Sequence, residues 1–562
     1  MSLVISSHLP TSAVVPPMSS SSKHIIQNRL VEVPANISGS YSFTGNSRIE
    51  FDINSASDFI DFTKSYIRFD LTTALTYEGV DDLSRYLAEG GAHALFRTIE
   101  VTTSSGVRIA RLENYGRWYA MMASIMAPRE YVDRALHREG DGADGYSQTQ
   151  GYVSPDGYAV TGTAFAWDAT GGASELLLTG TASTFLSDLR VKDLVVIEDV
   201  NLESHIGVVE SVLTNTTATV AFSKATDIAG NILRVLKPEA KSVRNRIATT
   251  ANSAIEFQPA VPFLQMDTWF PLMLVRGGLR ISLDLERPEY VLCSPHSVIS
   301  AGFTAPSVTL SNCYYVCNMI TPDQSLSQAY LAMFKGNGIS YSYMNYVHQM
   351  DVITAGTSGR QNLQMNAGVR SARHLLCKIQ NIRAQTVTSA TANGGKSTFT
   401  ADSIAMGLKA NLAEFQVESG SDRFPLSSPL DCTSVDNSEL WVSLQNAFGV
   451  TGSHLAQPRF LPEQWAEVAS AVEPFEQGVV PIGKADSDRL VIGVDLARDA
   501  SPFAGLDLSL NSLNIQPNFD ASYSLTDDDG SSNSASAALY WLSFLGFDAT
   551  LSLSSQGIKV FT

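Results

Sequence analysis

One stretch near the middle of the chain constrains the fold more than any other. Residues 269–287 read WFPLMLVRGGLRISLDLER, and leucine or isoleucine fills every second position from Leu279 to Leu285. This period of two predicts a β-strand with one buried and one solvent-facing side. The Gly277-Gly278 pair before it permits a sharp turn into the strand. We therefore expect this strand to close one β-rich half at the midpoint of the 562 residues.

The same alternation recurs on both sides of the midpoint. Strands are predicted in the first half at 49–53, 67–71, 95–103 and 107–112, and the first β domain resumes over 252–287, which contains the strand 279–285. In the second half strands are predicted at 308–320, 338–354, 373–382, 398–404, 411–418, 489–496, 506–515 and 539–561. We interpret the two halves as holding about eight strands each, and eight antiparallel strands in two Greek keys form a jelly roll. The sequence predicts an all-β fold of two tandem eight-stranded antiparallel jelly rolls.

Short helices are expected to interrupt these strands. The composition favours helices over 80–90 and 113–137. Asp323 is a favoured N-cap residue for a third helix. Apolar residues at four-residue spacing predict a fourth over 436–448.

The stretch 161–238 differs from its surroundings. It carries short predicted strands separated by Gly and Asn, at 175–179, 194–198, 206–213, 217–222 and 232–236. So many short strands in so few residues favour a small barrel. We expect an inserted small β domain at about 146–245, in a loop of the first jelly roll.

Charge and cysteine content narrow the functional classes. The formal net charge is −18 and charged residues make up 17% of the chain, below the ~25% usual for soluble domains. An acidic chain repels phosphate backbones, so sequence-specific nucleic-acid binding is not expected. Five cysteines in 562 residues favour folding in a reducing compartment over a disulfide framework.

Neither a signal peptide nor a membrane span is expected. The N-terminus lacks a positive region followed by a long apolar core, and no stretch holds the ~18 apolar residues that a spanning helix needs. Pro10, Pro16, Pro17 and the serine run 19–22 are typical of a flexible arm.

Seven blocks of the chain carry a family pattern through their order and spacing. They are IEFDINSASDFIDFTKSYIRFDL (49–71), FPLMLVRGGLRISLDLE (270–286), VTLSNCYYVCNMITPD (308–323), EFQVESGSDRFPLSSPL (414–430), ELWVSLQNAFG (439–449), DRLVIGVDLARDASPFAGLDLSLNSLNIQPNF (488–519) and YWLSFLGFDATLSLSSQGIKVF (540–561). Taken in this order, they resemble the double jelly-roll major capsid proteins of tailless icosahedral double-stranded DNA viruses, of the polinton-like virus and virophage type. The resemblance spans nearly the whole chain apart from 1–38 and 140–245.

Domain boundaries follow from combining the strand pattern with this resemblance. Residues 1–38 form a flexible N-terminal arm and 39–290 the first jelly roll, with its insertion. Residues 291–306 are a linker, and 307–562 form the second jelly roll. The strand 279–285 is expected to be one of the last of the first jelly roll.

The resemblance implies a structural function. A major capsid protein of this family forms a homotrimeric, pseudo-hexagonal capsomer that tiles an icosahedral shell. Its partners are other copies of itself, neighbouring capsomers, and penton and minor capsid proteins. An outward loop such as the insertion at 146–245 would suit a host receptor. The expected location is the virion, and membrane contact is left open.

A carbohydrate-binding or adhesin-like β-sandwich protein is the alternative, because such modules also use apolar-rich strands. A capsid protein should be a stable trimer, whereas an adhesin should bind glycans as a monomer. An enzyme is not expected, since the sequence holds no GxSxG, HExxH or GxxxxGK[ST] motif.

No catalytic, cofactor-binding or metal-binding residues are expected, although three groups were weighed. Cys313 and Cys317 would share one side of a strand, but core packing is the favoured interpretation. The acidic run Asp527–Gly530 lacks downstream calcium ligands and is interpreted as a solvated turn. The sequons at Asn36 and Asn215 matter only on a secretory route.

Overall fold

The computed structural model describes the greater part of the chain. The described residues are 25–77, 80–81, 86–88, 90–126, parts of 158–235, 253–293, 303–381, 407–433, 438–449, 490–497, 503–522, 524–526, 532–536 and 538–562. Within them strands far outnumber helices, as predicted for an all-β fold.

Eight strands build the first jelly roll. They are β1 (Ile25–Pro34), β2 (Arg48–Ile53), β3 (Phe59–Tyr77), β4 (Phe96–Thr103), β5 (Arg108–Glu113), β6 (Ser253–Phe257), β7 (Leu279–Leu285) and β8 (Phe303–Pro322). Sheet one has the order β1–β8–β3–β6 and sheet two the order β2–β7–β4–β5. The first strand thus pairs with the eighth, the second with the seventh, the third with the sixth and the fourth with the fifth, which is the jelly-roll pattern.

The second jelly roll repeats this pattern. Its strands are β9 (Ile339–Ile353), β10 (Gly359–Arg360 and Leu363–Met365), β11 (Ala372–Asn381), β12 (Leu412–Ser419), β13 (Asp422–Phe424), β14 (Ile492–Asp495), β15 (Leu513–Phe519) and β16 (Leu539–Ser554). Sheet one runs β9–β16–β11–β14 and sheet two β10–β15–β12–β13. The predicted fold class is confirmed.

Helices and short strands fill the connections. The helices are α1 (Tyr115–Met126), α2 (Pro288–Val291), α3 (Gln324–Lys335) and α4 (Ser438–Ala447), with 3-10 turns at Gly91–Leu95, Pro262–Gln265 and Leu272–Leu274. The short strands are Tyr41–Ser42, Val80–Asp81, Tyr86–Leu87, Leu292–Cys293, Leu430–Asp431, Ser524–Thr526, Ser532–Ser536 and Gly557–Phe561. Asp323 caps α3 as predicted, accepting a hydrogen bond from the Leu326 amide at 2.7 Å. Of the helix predicted over 80–90, the described residues Val80–Asp81 and Tyr86–Leu87 form strand segments instead, and residues 82–85 and 89 lie outside the described part of the chain.

The inserted segment closes into a barrel. Its strands are Tyr158–Ala159, Thr163–Asp168, Leu177–Thr181, Leu194–Asp199, Ser204–Val212, Thr217–Phe222 and Ile228–Val235. Thr163–Asp168 pairs with both Leu177–Thr181 and Ile228–Val235, so the sheet closes on itself. Trp167, Phe165 and Leu178 belong to a hydrophobic core of its own. The two jelly rolls share a different, continuous core.

The structure moves two segments relative to the sequence-based boundaries. Strand β8 covers the end of the predicted linker and the predicted start of the second jelly roll, but it pairs with β3 and β1 in sheet one of the first. Strand β1 lies in the predicted flexible arm, but it is the edge strand of that sheet. The reason is long-range pairing: Leu310 of β8 lies opposite Leu71 of β3, far away in sequence.

Candidate assembly surfaces

Tyrosines of β9 join the second jelly roll to the first. The Tyr343 hydroxyl donates a 2.6 Å hydrogen bond to the Ile109 carbonyl of β5. The ring of Tyr343 lies 5.3 Å from that of Phe263, and the ring of Tyr341 lies 5.5 Å from that of Phe270. Such aromatic pairs add to the stabilisation from buried apolar area, so the junction is a packed interface.

A buried polar cluster around Arg117 of α1 lies in the same junction. The Arg117 Nη1 is 3.2 Å from Glu286 Oε2, and their side chains are 2% and 6% exposed. The Arg117 Nε donates to Gln380 Oε1 of β11 at 3.3 Å. The guanidinium also lies 5.1 Å from the centre of the Tyr290 ring. One cation thus binds groups from both jelly rolls, and removing Arg117 would take from the buried Glu286 carboxylate the cation that pairs with it.

Two histidines accompany this cluster, of which His374 is buried and His348 half-buried. An Asn114 amide nitrogen lies 3.2 Å from the His348 ring nitrogen Nε2, and the Tyr346 hydroxyl lies 3.1 Å from His374 Nε2. Burial, with Arg117 nearby, lowers the pKa of His348 to about 4. Burial, with Arg373 nearby, likewise lowers the pKa of His374 to about 4. Both imidazoles are therefore neutral at neutral pH.

The outer face of sheet two in the first jelly roll carries a network of ion pairs. Arg280 Nε of β7 donates to Asp52 of β2 at 2.7 Å. Arg48 lies 2.9 Å from Glu50 and 3.4 Å from Glu100 of β4. The Arg280 hydrogen bonds hold the pKa of Asp52 below its ordinary value. Cross-strand pairs of opposite charge thus satisfy one another on this face.

The same face of the second jelly roll carries amides. Gln516 of β15 donates to Glu418 at 2.8 Å, and Asn518 donates to Glu414 at 3.2 Å. Gln516 lies opposite Gln416 of β12 in the strand register. Amides both donate and accept hydrogen bonds. They can therefore pair with the carboxylates of this face where the first jelly roll uses arginines.

Strand β1 pairs with β8 along its length, but most of its side chains are exposed. Arg29 lies 3.2 Å from the buried Asp58 carboxylate, which also accepts a 2.6 Å hydrogen bond from Thr321. Burial works to raise the pKa of Asp58, but hydrogen bonds from Thr321, Ser55 and Arg29 hold it below its ordinary value. No residue of β1 is fully buried.

Large apolar side chains are exposed at several places in the described chain. They are Ile26, Leu30, Ile37, Leu213, Leu331, Met350, Val352, Leu426, Val442, Phe503, Leu510 and Phe561. Single exposed apolar residues are common, so only their grouping on a surface carries information.

The residues weighed as chemical sites are not brought together. Cys313 and Cys317 are buried, and burial raises the pKa of Cys313 to about 12, as suits core side chains. No cluster of three or more potential metal ligands occurs among the described residues. The acidic run Asp527–Gly530 lies outside them. The Asn36 amide donates to Asp52 at 2.9 Å.

The helices of the described chain are all too short or too polar to cross a bilayer.

Sequence reasoning missed the junction. Tyr341, Tyr343 and Tyr346 recur within the single strand β9, an unusual density of aromatic side chains with a polar end. That recurrence could have marked β9 as an interface strand. Nothing local in the sequence identifies Arg117 and Gln380 as partners, because 263 positions separate them.

Comparison with known proteins bears on the fold. No protein-family model matches the sequence, and no curated protein matches it. Among solved structures, a chain of the Sputnik virophage matches with a TM-score of 0.51 at 10% identity, covering 99% of this chain and 94% of that one. The Faustovirus major capsid protein gives 0.49 at 10% identity over 98% and 93%, and the mavirus major capsid protein 0.42 at 10% over 99% and 96%. The Sputnik match, together with the strand order, establishes a double jelly-roll fold.

Proposed function

We propose, from the double jelly-roll fold, that this chain is a major capsid protein. Its copies assemble as homotrimeric, pseudo-hexagonal capsomers that tile an icosahedral shell, and its role is structural rather than enzymatic. The supporting observation is the duplication itself: two jelly rolls of identical strand order are joined in one chain through a shared core. Three such chains supply six similar units, which can approximate a hexagon.

Two further features support self-assembly. Charged residues are only 17% of the chain, and large obligate interfaces are depleted of charge. The first strand β1 leaves large apolar side chains exposed, with Ile26 70% and Leu30 60% accessible. Exposed apolar edges mark contact surfaces. Partners in the shell would be other copies and penton and minor capsid proteins, and the location would be the virion.

The test is the mass and shape of the purified full chain. Light scattering after size exclusion should give three times the 60.6-kDa chain mass, and electron micrographs should show hexagonal particles. A monomer that binds glycans on an array would instead support the adhesin-like alternative and overturn the capsid assignment.

We propose further that the barrel is a separable module on the shell exterior, suited to a host receptor. Its first and last strands pair with each other, with Tyr158 opposite Val235, so the chain enters and leaves at neighbouring points. Replacing 146–245 with a short Gly-Ser linker should leave a folded trimer. Loss of folding in the truncated chain would contradict the proposal.

A further inference from the structure

The two jelly rolls differ in what covers the outer face of sheet one. In the second, the even-numbered residues of β9 face away from the sandwich core, because the odd-numbered Trp541 of the neighbouring β16 stacks on Phe415 of sheet two. Part of this outer face is covered by α1 of the first jelly roll: the Trp118 ring lies 5.0 Å from the Tyr346 ring, and Gln380 is 0% exposed. Met350 and Val352, near the far end of the same face, are 46% and 56% exposed.

The equivalent face of the first jelly roll is exposed along its edge strand β1, whereas Val316 and Asn318 of β8, which lie opposite Glu32 and Leu30, are buried. Val33 of β1 lies opposite Tyr315, which faces Phe51 across the sandwich, so alternation places Leu30 and Glu32 on the outside. Leu30 is 60% exposed and the Glu32 side chain 55%. Most residues of the first strand are thus buried or half-buried in the second jelly roll, whereas most are exposed in the first.

The element that would cover this exposed edge strand is present in the chain. Helix α4 follows the fifth strand of the second jelly roll as α1 follows that of the first. Both helices carry tryptophan at their fourth position, Trp118 in α1 and Trp441 in α4. Trp118 is buried in the junction, whereas Trp441 is half-buried and Val442 beside it is 48% exposed.

We propose that α4 of one copy packs on the outer face of sheet one of the first jelly roll of a second copy, with Val442 and Trp441 against Leu30. This repeats between copies the contact that α1 makes within one chain. The partner is a second copy of the chain, because each chain carries both contact surfaces: the exposed face of β1 and the exposed side of α4. The contact is heterologous, and such contacts generate a ring if the rotation closes. The inference rests on the proposed self-assembly and names its surfaces.

Charge substitutions test the proposal. In the full chain, Leu30→Asp and Val442→Asp should each abolish the trimer in light scattering at concentrations where the wild type is fully trimeric. Both side chains are exposed, so circular dichroism should show folded protein. The control is Leu510→Asp, because Leu510 is 95% exposed but lies on neither surface, and this variant should stay trimeric.

Cross-linking tests the direction of the contact. The double variant Leu30→Cys/Val442→Cys, treated with a short bis-maleimide, should give covalent dimers and trimers that wild type lacks. Neither single variant should do so, because a heterologous contact places Leu30 beside Val442 and not beside another Leu30. Dimers from Leu30→Cys alone would overturn the head-to-tail arrangement.

The two hypotheses fail differently. A monomeric wild-type chain would contradict the proposed capsomer. A trimeric wild type whose Leu30→Asp and Val442→Asp variants are also trimeric would leave the capsomer standing and overturn this interface.

Discussion

The two jelly rolls have the same strand order but carry different kinds of side chains on their outer faces. The seventh strands read LRISLDL in the first and LNIQPNF in the second. Their inward positions are apolar in both, because both must fill a sandwich core. The outward positions are Arg280, Ser282 and Asp284 in one, and Asn514, Gln516 and Asn518 in the other. The fold thus requires apolar side chains only on the inner face. The side chains of the outer face can differ with the surroundings of each jelly roll.

The largest loss of stability is expected from substitutions in the junction between the two jelly rolls. Replacing Arg117 with Met should cost about 3–5 kcal/mol, because the buried Glu286 carboxylate would lose the cation that pairs with it. The urea unfolding midpoint measures this. The double variant Arg117→Met/Glu286→Leu should recover part of the loss, since no unpaired charge is left behind. A loss below about 1 kcal/mol in the single variant would show that the cluster does not hold the junction.

The second-largest effect is expected at the residue before the seventh strand, where the two jelly rolls differ. Gly278 has φ +81° and an added Cβ would lie 2.1 Å from the Ile53 carbonyl oxygen, whereas the second jelly roll enters its strand through Ser512. We expect Gly278→Ala to destabilise by more than about 2 kcal/mol, from strain plus the clash. Gly356 is the control: its φ is +82° with no atom near an added Cβ, so Gly356→Ala should cost only about 1–2 kcal/mol. Equal thermal shifts would refute the clash.

Local pattern predicted the strands but not all their partners. The alternation in β7 was sufficient to predict it because one side is buried beneath sheet one. The alternation in β8 was equally visible, but its assignment to a jelly roll depends on pairing with β3 across more than 200 residues. Strand β1 buries no residue fully, so its sequence lacks the apolar alternation that marks strands. The strand-rich barrel was predicted because its turns are short and its pairing is mostly local.

The surfaces were less predictable than the fold. A charged outward residue such as Arg280 indicates exposure but does not identify Asp52 as its partner. The junction is formed by Arg117, Gln380 and Tyr346, which come together only after both jelly rolls have folded. Packing of this kind depends on tertiary geometry, which no sequence period encodes.

Acid should lower the stability of the protein through His348 and His374 of the second jelly roll. Because burial lowers the folded-state pKa of His348 and His374 to about 4, from about 6.5 when unfolded, the unfolded chain binds more protons between these values. Stability should therefore fall as pH drops from about 6.5 to about 4. The carboxylates with lowered pKa, such as Asp58, lose their contribution only at lower pH. Unfolding midpoints measured across this range give the slope.

Substitution identifies the histidines as the source. His348→Gln keeps a polar side chain that does not titrate, so its slope between pH 6.5 and 4 should be shallower than that of wild type. His374→Gln should act similarly. The control is Asn28→Gln in β1, a strand whose sequence IIQNRLVEVP contains no histidine. This variant should leave the slope of stability against pH unchanged. A slope unaffected by either histidine substitution would contradict the assignment.

The smallest effect is expected where the outer faces of sheet two differ. Arg280→Ala removes a 2.7 Å ion pair with Asp52, but both side chains are over 40% exposed, so the cost should be below about 1 kcal/mol. It should shrink further in 1 M salt, because screening weakens exposed pairs. Asn518→Ala, in the amide network, should cost a similar amount with less salt dependence, since an uncharged amide takes part. Identical salt responses of the two variants would mean that the exchange of charges for amides has no electrostatic consequence. A different response would show that each jelly roll stabilises its outer face by a distinct mechanism, while the inner face is common to both.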